Sequence, residues 1–302
     1  MINAYGFRNG ALLTCLPLPF AKAEGKLHLC ELAMMHYGEW VHIASQSATT
    51  ALSSGVSWSN MPRLLIGTSG WVYQHWRGLF YPPELPQAKW LPFYSERFNT
   101  VEVNNSFYRL PSKAAFERWH RQTPNDFTFA VKGNRFITHM RKLRSVEEPL
   151  RRFFEAVCGL GEKAKVILWQ LPPMLKADHG RLREFLRVLP KGYRYAVEFR
   201  HPSWWIDKAS IKVLEEFGCA FCIPSAPMLP KEIILTSDFS YIRMHGWNQL
   251  YSGCYPMSEL QWWAERVSEM LRNGIDVFVY FNNDVNAYAI RNAEELANLI
   301  RR

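Results

Sequence analysis

Cysteine is scarce in this chain, six in 302 residues, which excludes a disulfide-held miniature. No uninterrupted apolar run approaches the ~20 residues that a bilayer crossing needs. No GxGxxG or Walker loop follows any apolar β-branched run, so the usual dinucleotide and P-loop phosphate cradles are missing. Acidic residues are in deficit, 27 against 36 Lys and Arg, for a formal charge of +9. From Trp40 to Pro62 there is no Asp, Glu, Lys or Arg at all. What is present is apolar and aromatic. Hydrophobic residues make up 48% and aromatics 15%, with 12 Trp, which is incompatible with a disordered chain.

The first 60 residues balance Arg8, Lys22 and Lys26 against Glu24, Glu31 and Glu39, so the whole +9 belongs to the remainder. Ala11–Phe20 followed by Ala21-Lys22-Ala23 has the outline of a secretory h-region and cleavage site, but Thr14, Pro17 and Pro19 spoil it. Met61 is physically the better start, because a clean strand begins soon after it. The expectation is an extension over 1–62 with little regular structure, or an over-early start, followed by one domain over 63–302.

From Arg63 onward, apolar runs alternate with helical periodicity. The predicted strands are Leu64–Thr68, Thr100–Asn104, Phe127–Lys132, Lys165–Leu171, Arg194–Arg200, Ala220–Ser225, Tyr241–Gly246 and Val277–Asn282. Predicted helices lie over Gln87–Phe98, Ser112–Gln122, Val146–Leu160, Asp178–Leu189, Asp207–Phe217, Ser258–Asn273 and Asn286–Arg301, with Ser112 and Ser258 as start signals. Only Ala226–Ser240 lacks a convincing helix. That alternation is the count of an α/β (β/α)8 TIM barrel rather than an open doubly wound sheet.

The motifs Ile66-Gly67-Thr68-Ser69-Gly70-Trp71, Thr100-Val101-Glu102-Val103-Asn104 and Ser106-Phe107-Tyr108-Arg109 follow one another along the chain. They continue through Phe129-Ala130-Val131-Lys132, Ile137-Thr138-His139, Gln170-Leu171-Pro172-Pro173 and Glu198-Phe199-Arg200-His201 with Ser203-Trp204. Tyr241-Ile242-Arg243-Met244-His245-Gly246 and Tyr280-Phe281-Asn282-Asn283-Asp284 close the series. Together they resemble the YecE-like family, the domain of unknown function seventy-two, from about Leu64 to Arg302. The resemblance implies a TIM barrel and no established activity. Asn104-Asn105-Ser106 departs from a family pattern closer to Asn-Ser-Thr, a change confined to local hydrogen bonding.

Barrel enzymes carry their sites at the C-terminal strand ends. Strand alternation puts Glu102 with Asn104, Glu198 with Arg200, and Arg243 with His245 on inward faces, opposite apolar outward neighbours. The candidate catalytic residues are Glu102, Lys132, Glu198 and His245. Candidate ligand contacts are Asn104, Gln170, Arg200, His201, Arg243, Asn282, Asn283 and Asp284. In this reading Arg200 and Arg243 clamp a phosphate, His245 or Glu198 moves a proton, and Lys132 stabilises negative charge. Asn282, Asn283 and Asp284 orient the ligand. An internal ion network is the bland alternative. The loop Gly133–Ser145, with Arg135, His139, Arg141, Lys142 and Arg144, adds cations. Loop aromatics Trp71, Tyr73, Trp76, Phe107, Tyr108, Trp204, Trp205, Trp247, Tyr251 and Tyr255 add flat faces.

The expected ligand is therefore an anionic phosphate-bearing small molecule, nucleotide or nucleic acid, bound and hydrolysed without metal or cofactor. Lys132, Arg200 and Arg243 argue against a metal among His139, His201, His245, Glu102, Glu198 and Asp284. Three alternatives stand beside it: a nucleic-acid-binding or regulatory module without turnover, a metal-dependent endonuclease-like hydrolase, and a glycosidase using Glu102 and Glu198. Whether the chain is an enzyme, a possible hydrolase, and which oligomer it forms are left open. No membrane association is expected, and the location is expected to be cytoplasmic.

Overall fold

In a computed structural model the chain is described over residues 61–206, 208–227 and 232–301. The extension expected over 1–62 falls almost wholly outside the described residues. The strands are β1 Leu64–Thr68, β2 Thr100–Val103, β3 Thr128–Lys132, β4 Ala164–Gln170, β5 Arg194–Glu198, β6 Ala220–Ser225, β7 Phe239–Met244 and β8 Asp276–Phe281. All are parallel, in the order β1-β8-β7-β6-β5-β4-β3-β2. The helices are α1 Trp90–Ser95, α2 Asn105–Tyr108, α3 Lys113–Arg121, α4 Glu147–Val157, α5 His179–Arg187, α6 Ser203–Ile206, α7 Ala209–Glu216, α8 Met257–Arg272 and α9 Tyr288–Arg301. Between β6 and β7 no helix occurs among the described residues.

The circle closes between β1 and β2 by a narrower seam. Ser69 bridges Glu102, and the Gly70 amide donates to the Glu102 carbonyl at 2.8 Å. Deeper in the seam the Tyr94 hydroxyl stands in for a ladder bond. It accepts from the Thr68 amide at 2.9 Å and donates to the Thr100 carbonyl at 3.1 Å. Gly67 is needed there, because a Cβ would lie 2.2 Å from the Thr100 oxygen.

Alternation sorts the strands into two cores, as expected for period-2 side chains. Val101, Val103, Val197, Phe199, Ile242 and Met244 pack outward with the helices. Inside the barrel, Phe239, Tyr241, Phe278 and Tyr280 from β7 and β8 meet Ala130, Ala196 and Ala220 from β3, β5 and β6. Bulky rings on one wall face small residues on the other, a complementary filling of the lumen.

The local start signals hold in part. The Ser112 hydroxyl accepts from the Ala115 amide at 3.2 Å and caps α3. Ser258 does not cap α8. Pro256 precedes the helix, its φ of −70° already suited to a helix entry, and Ser258 falls in the first turn. The buried face of α8 carries Leu260, Trp263, Ala264, Val267 and Met270, an amphipathic spacing.

Candidate functional site

Above the aromatic layer, the inward alternation of β7 delivers Tyr241, then Arg243, with His245 just past the strand. Glu102 and Glu198 come from β2 and β5. The Arg243 guanidinium lies between the two carboxylates, with Nη1 on Glu198 Oε2 at 2.8 Å and Nη2 on Glu102 Oε1 at 2.7 Å. Glu102 also accepts from the Ser69 hydroxyl, and from Tyr241 at 2.7 Å. Glu198 Oε1 takes the Arg200 Nη2 ion pair at 2.5 Å and His245 Nε2 at 3.0 Å. Each glutamate thus receives three donors. Glu102, Glu198 and His245 are fully buried, and Arg243 keeps 1% of its surface.

These contacts set the charges. Burial pushes both carboxyls up, but Arg243 and Lys132 around Glu102, and Arg200, Arg243 and His245 around Glu198, outweigh it. Both therefore lie below the usual carboxylate range and stay ionised. Burial would discharge Arg243, and the two glutamates prevent it. His245 is pushed down to about 4 by burial and Arg243, against the pull of Glu198. Its contact with Glu198 is then a neutral Nε2–H hydrogen bond, not an ion pair, and Arg200 Nη2, 2.9 Å from the same Nε2, donates to Glu198 Oε1 rather than to the ring. Asn282 Nδ2, 3.2 Å from His245 Nδ1, fits that tautomer as donor.

Lys132, at the end of β3, is the cation this network leaves over. It is 6% exposed, and its Nζ makes no hydrogen bond or ion pair among the described residues but lies 4.1 Å from the Phe107 ring centroid. A desolvated cation–π contact contributes about 2 kcal/mol. Burying an unpaired charge costs several kcal/mol, so the ring does not offset it. Burial, with Arg243 next, accordingly pushes the amine down to about 7.

The remaining sequence candidates divide. Asn104 and Gln170 are half-buried at the ends of β2 and β4, and Asn104 Oδ1 is a buried acceptor without a donor. The Nε atoms of Arg200 and Arg243 are likewise buried without acceptors. Asn282 belongs to the network through His245. Asn283 points elsewhere, donating to the Gly253 carbonyl and Asn292 Oδ1, both at 3.0 Å. Asp284 lies against the loop after β1, where its carbonyl accepts from His75 and Trp76, both at 2.8 Å. His201 Nδ1 accepts the Ser203 amide at 3.1 Å at the start of α6. These three do not join the Glu–Arg cluster.

Sequence reasoning missed Ser69 and Tyr241. Tyr241 was available from the alternation, two residues before Arg243 on the same face; Ser69, beyond the end of β1, carried no signal. Half of the ten loop aromatics are core: Trp71, Trp76, Phe107, Trp204 and Tyr255 are buried, whereas Tyr108, Trp247 and Tyr251 are exposed.

The arrangement narrows the chemistry. Among the described residues no three His, Cys, Asp or Glu side chains converge as a metal-ligand set. A glycosidase needs one protonated carboxyl, and both glutamates are held ionised. A groove of about 430 Å³ beside the loop after β3 is lined by Leu110, Phe136, Ile137 and Phe153 with Arg141 and Arg152. None of the buried cluster lines it, so we place the candidate site at the charged strand ends. Among the described residues, no helix is long and apolar enough to cross a membrane.

The same barrel occurs in known proteins. YunF of Bacillus subtilis, a UPF0759 protein, is 25% identical over 269 residues, 78% of this chain and 94% of YunF. The UPF0759 protein YecE of Escherichia coli is 31% identical over 131 residues, 41% of this chain and 48% of its own length. The crystal structure of a DUF72 family protein from Thermotoga maritima superposes with a TM-score of 0.73 at 29% identity, covering 80% of this chain and all 100% of that one. A DUF72 family protein from Enterococcus faecalis, 21% identical with a TM-score of 0.70, shares the fold over 79% of this chain and 96% of its own. Residues 65–302 match the family described as "Protein of unknown function DUF72", the whole barrel from β1 to the end of α9, and the chain belongs to that family.

Proposed function

We propose that the C-terminal mouth of the barrel binds an anionic, phosphate-bearing ligand. The observation that carries this reading is Lys132, nine-tenths buried, its Nζ without an ion pair among the described residues because both nearby glutamates are turned to other donors. A ligand anion would supply the missing counter-charge. The sequence paired Arg200 with Arg243 as the phosphate clamp. Both Nη atoms of Arg243 are spent on carboxylates, so phosphate contact passes to Lys132 and Arg200, with Asn104 and Gln170 at the rim. For metal-free hydrolysis, no group of the cluster is left to take a proton once Lys132 holds the anion as its ammonium. His245 and both glutamates have been pushed too low.

Titration calorimetry with inorganic phosphate and a nucleoside monophosphate tests the reading. An anion binds the ammonium form of Lys132, whose amine lies at about 7 in the free protein. The Lys132 contribution to affinity, after correction for the ligand's own second ionisation, is therefore constant below that pH and falls about tenfold per unit above it. Lys132→Met removes this slope and weakens binding. Affinity unaffected by Lys132→Met and by Arg200→Ala would refute the proposal.

A second reading, nucleic-acid binding without turnover, is favoured by the loop after β3. There Arg135, Arg141, Lys142 and Arg144 are exposed, and the Arg135 guanidinium lies 5.8 Å from the exposed Tyr108 ring. Lys142, Leu143 and Ser145 adopt positive φ, and the buried Leu143 donates to Ile137 at 3.0 Å, so the cations are held on a fixed loop. Binding to single-stranded DNA with a steep salt slope, unchanged by Lys132→Met, would select this reading instead.

A further inference from the structure

We propose that Lys132 captures the carbonyl group of a phosphate-bearing aldehyde or ketone as an imine at the barrel mouth. The proposal rests on the phosphate reading above and adds the substrate class.

An amine nucleophile must be neutral, desolvated and free of a counter-ion. Lys132 meets the second and third of these conditions by geometry. It stands at the C-terminal end of β3, 6% exposed, with the Phe107 face against its Nζ and no acceptor among the described residues. Every charged or titratable neighbour is accounted for. Glu102 on β2 and Glu198 on β5 each hold three other donors and no direct Lys132 contact, attracting its ammonium only through space, while Arg200 and Arg243 repel it. His245 is tied to Glu198. His139, from the loop after β3, stands edge-on to the Phe107 ring with centroids 4.9 Å apart. It is half-buried, and burial and Lys132 hold it below its usual value, so it is neutral and placed to relay protons. With the amine itself brought down to about 7, a large neutral fraction exists at physiological pH.

The step balances without a further reagent. The Nζ lone pair attacks the carbonyl carbon, the C=O π pair moves to oxygen, and one proton passes from the now cationic nitrogen to that oxygen, giving a neutral carbinolamine. Its hydroxyl takes up a second proton and leaves as water as the nitrogen lone pair forms C=N, and the iminium then gives up its remaining N–H proton, replacing the one consumed. Amine and carbonyl give imine and water with no change in oxidation state, and hydrolysis reverses it. Arg200 is the group on hand for the phosphate of the same molecule.

The test is reductive trapping of the intact protein with glycolaldehyde phosphate and sodium cyanoborohydride, followed by peptide mass spectrometry. The expected result is an adduct on Lys132 formed at least tenfold faster than on the average exposed lysine. Its rate should rise with pH through about 7 and then level off. Unphosphorylated glycolaldehyde should label Lys132 at least tenfold more slowly, and Lys132→Arg should lose the adduct. Labelling of Lys132 no faster than exposed lysines, while calorimetry still detects phosphate binding, would overturn the imine and leave the phosphate reading standing. Equal labelling by the two aldehydes would overturn the phosphate-bearing substrate class and with it the phosphate reading.

Discussion

Replacing Arg243 by Met should be the most damaging single change at the mouth. The side chain is 1% exposed and its two Nη atoms lie 2.7 and 2.8 Å from carboxylates that are themselves fully buried. Removing one partner from a buried ion pair costs about 3–5 kcal/mol. Here two carboxylates lose a partner together, which places the expected loss at the upper end, about 5 kcal/mol. For a domain of this size each kcal/mol lowers the melting temperature by roughly 2–4 °C, giving a drop of roughly 10–20 °C. Calorimetric melts of wild type and Arg243→Met at pH 7.5 measure it. The pH dependence supplies an internal control. In the wild type Glu102 and Glu198 are depressed, so their stabilising contribution is present above the unfolded value of about 4.3 and is lost as pH falls toward the folded value. In the variant, desolvation without Arg243 raises them, so acidification relieves the defect and the two melting temperatures converge toward pH 4.5. Replacing both glutamates by Gln in the Arg243→Met background should recover most of the loss, because no uncompensated charge is left. A melting temperature within about 3 °C of wild type, or a gap that does not narrow with acid, would refute the network as described.

The remaining expectations concern the frame that holds the site. Tyr94→Phe removes the hydroxyl that bridges Thr68 and Thr100 across the β1–β2 seam, costing about 1–3 kcal/mol for the stranded groups; thermal melts and faster exchange of the Thr68 amide check it. Gly67→Ala puts a Cβ 2.2 Å from the Thr100 carbonyl, a backbone atom that cannot yield without opening the seam, and soluble folded protein should be lost on expression. Ser112→Ala deletes the cap of α3, far from the mouth. It should cost about 1 kcal/mol in a denaturant titration, with phosphate affinity unchanged.

The barrel was legible because its signal is local. A strand buried on both faces still alternates between lumen and helix layer. Leu64–Thr68 and Ala220–Ser225 are therefore found residue for residue. Strand ends were less so: His245 and Gly246 continue the apolar–polar pattern of β7, yet the strand stops at Met244 and the chain turns at Gly246, φ +117°. The inward set at the mouth followed from the same alternation. What could not be read was who pairs with whom. Arg243 and Glu198 are separated by 45 residues, and Arg243 and Glu102 by 141, so their contact depends on strand order and register. The aromatics misled for a related reason. Composition cannot distinguish a Trp such as Trp76, folded under a loop with its indole nitrogen on the Asp284 carbonyl, from one presented to a ligand.

The buried network itself bears on function. Two carboxylates and a guanidinium in a dry barrel gain a fold little over apolar residues of equal volume, and often less. A second lumenal layer of aromatic and small residues already fills the barrel below them. Their specific effect is on geometry and charge. Arg243 and Tyr241 hold Glu102, and Glu198 in turn fixes Arg200 and His245. Committing both glutamates to other donors is also what leaves Lys132 without a direct ion pair among the described residues. The neutral double-glutamine, Arg243→Met protein separates the two roles: a purely structural network predicts that it recovers both stability and phosphate affinity. If the network instead sets up the mouth, the protein regains its melting temperature while phosphate affinity stays low and Lys132 no longer titrates where the wild-type amine does.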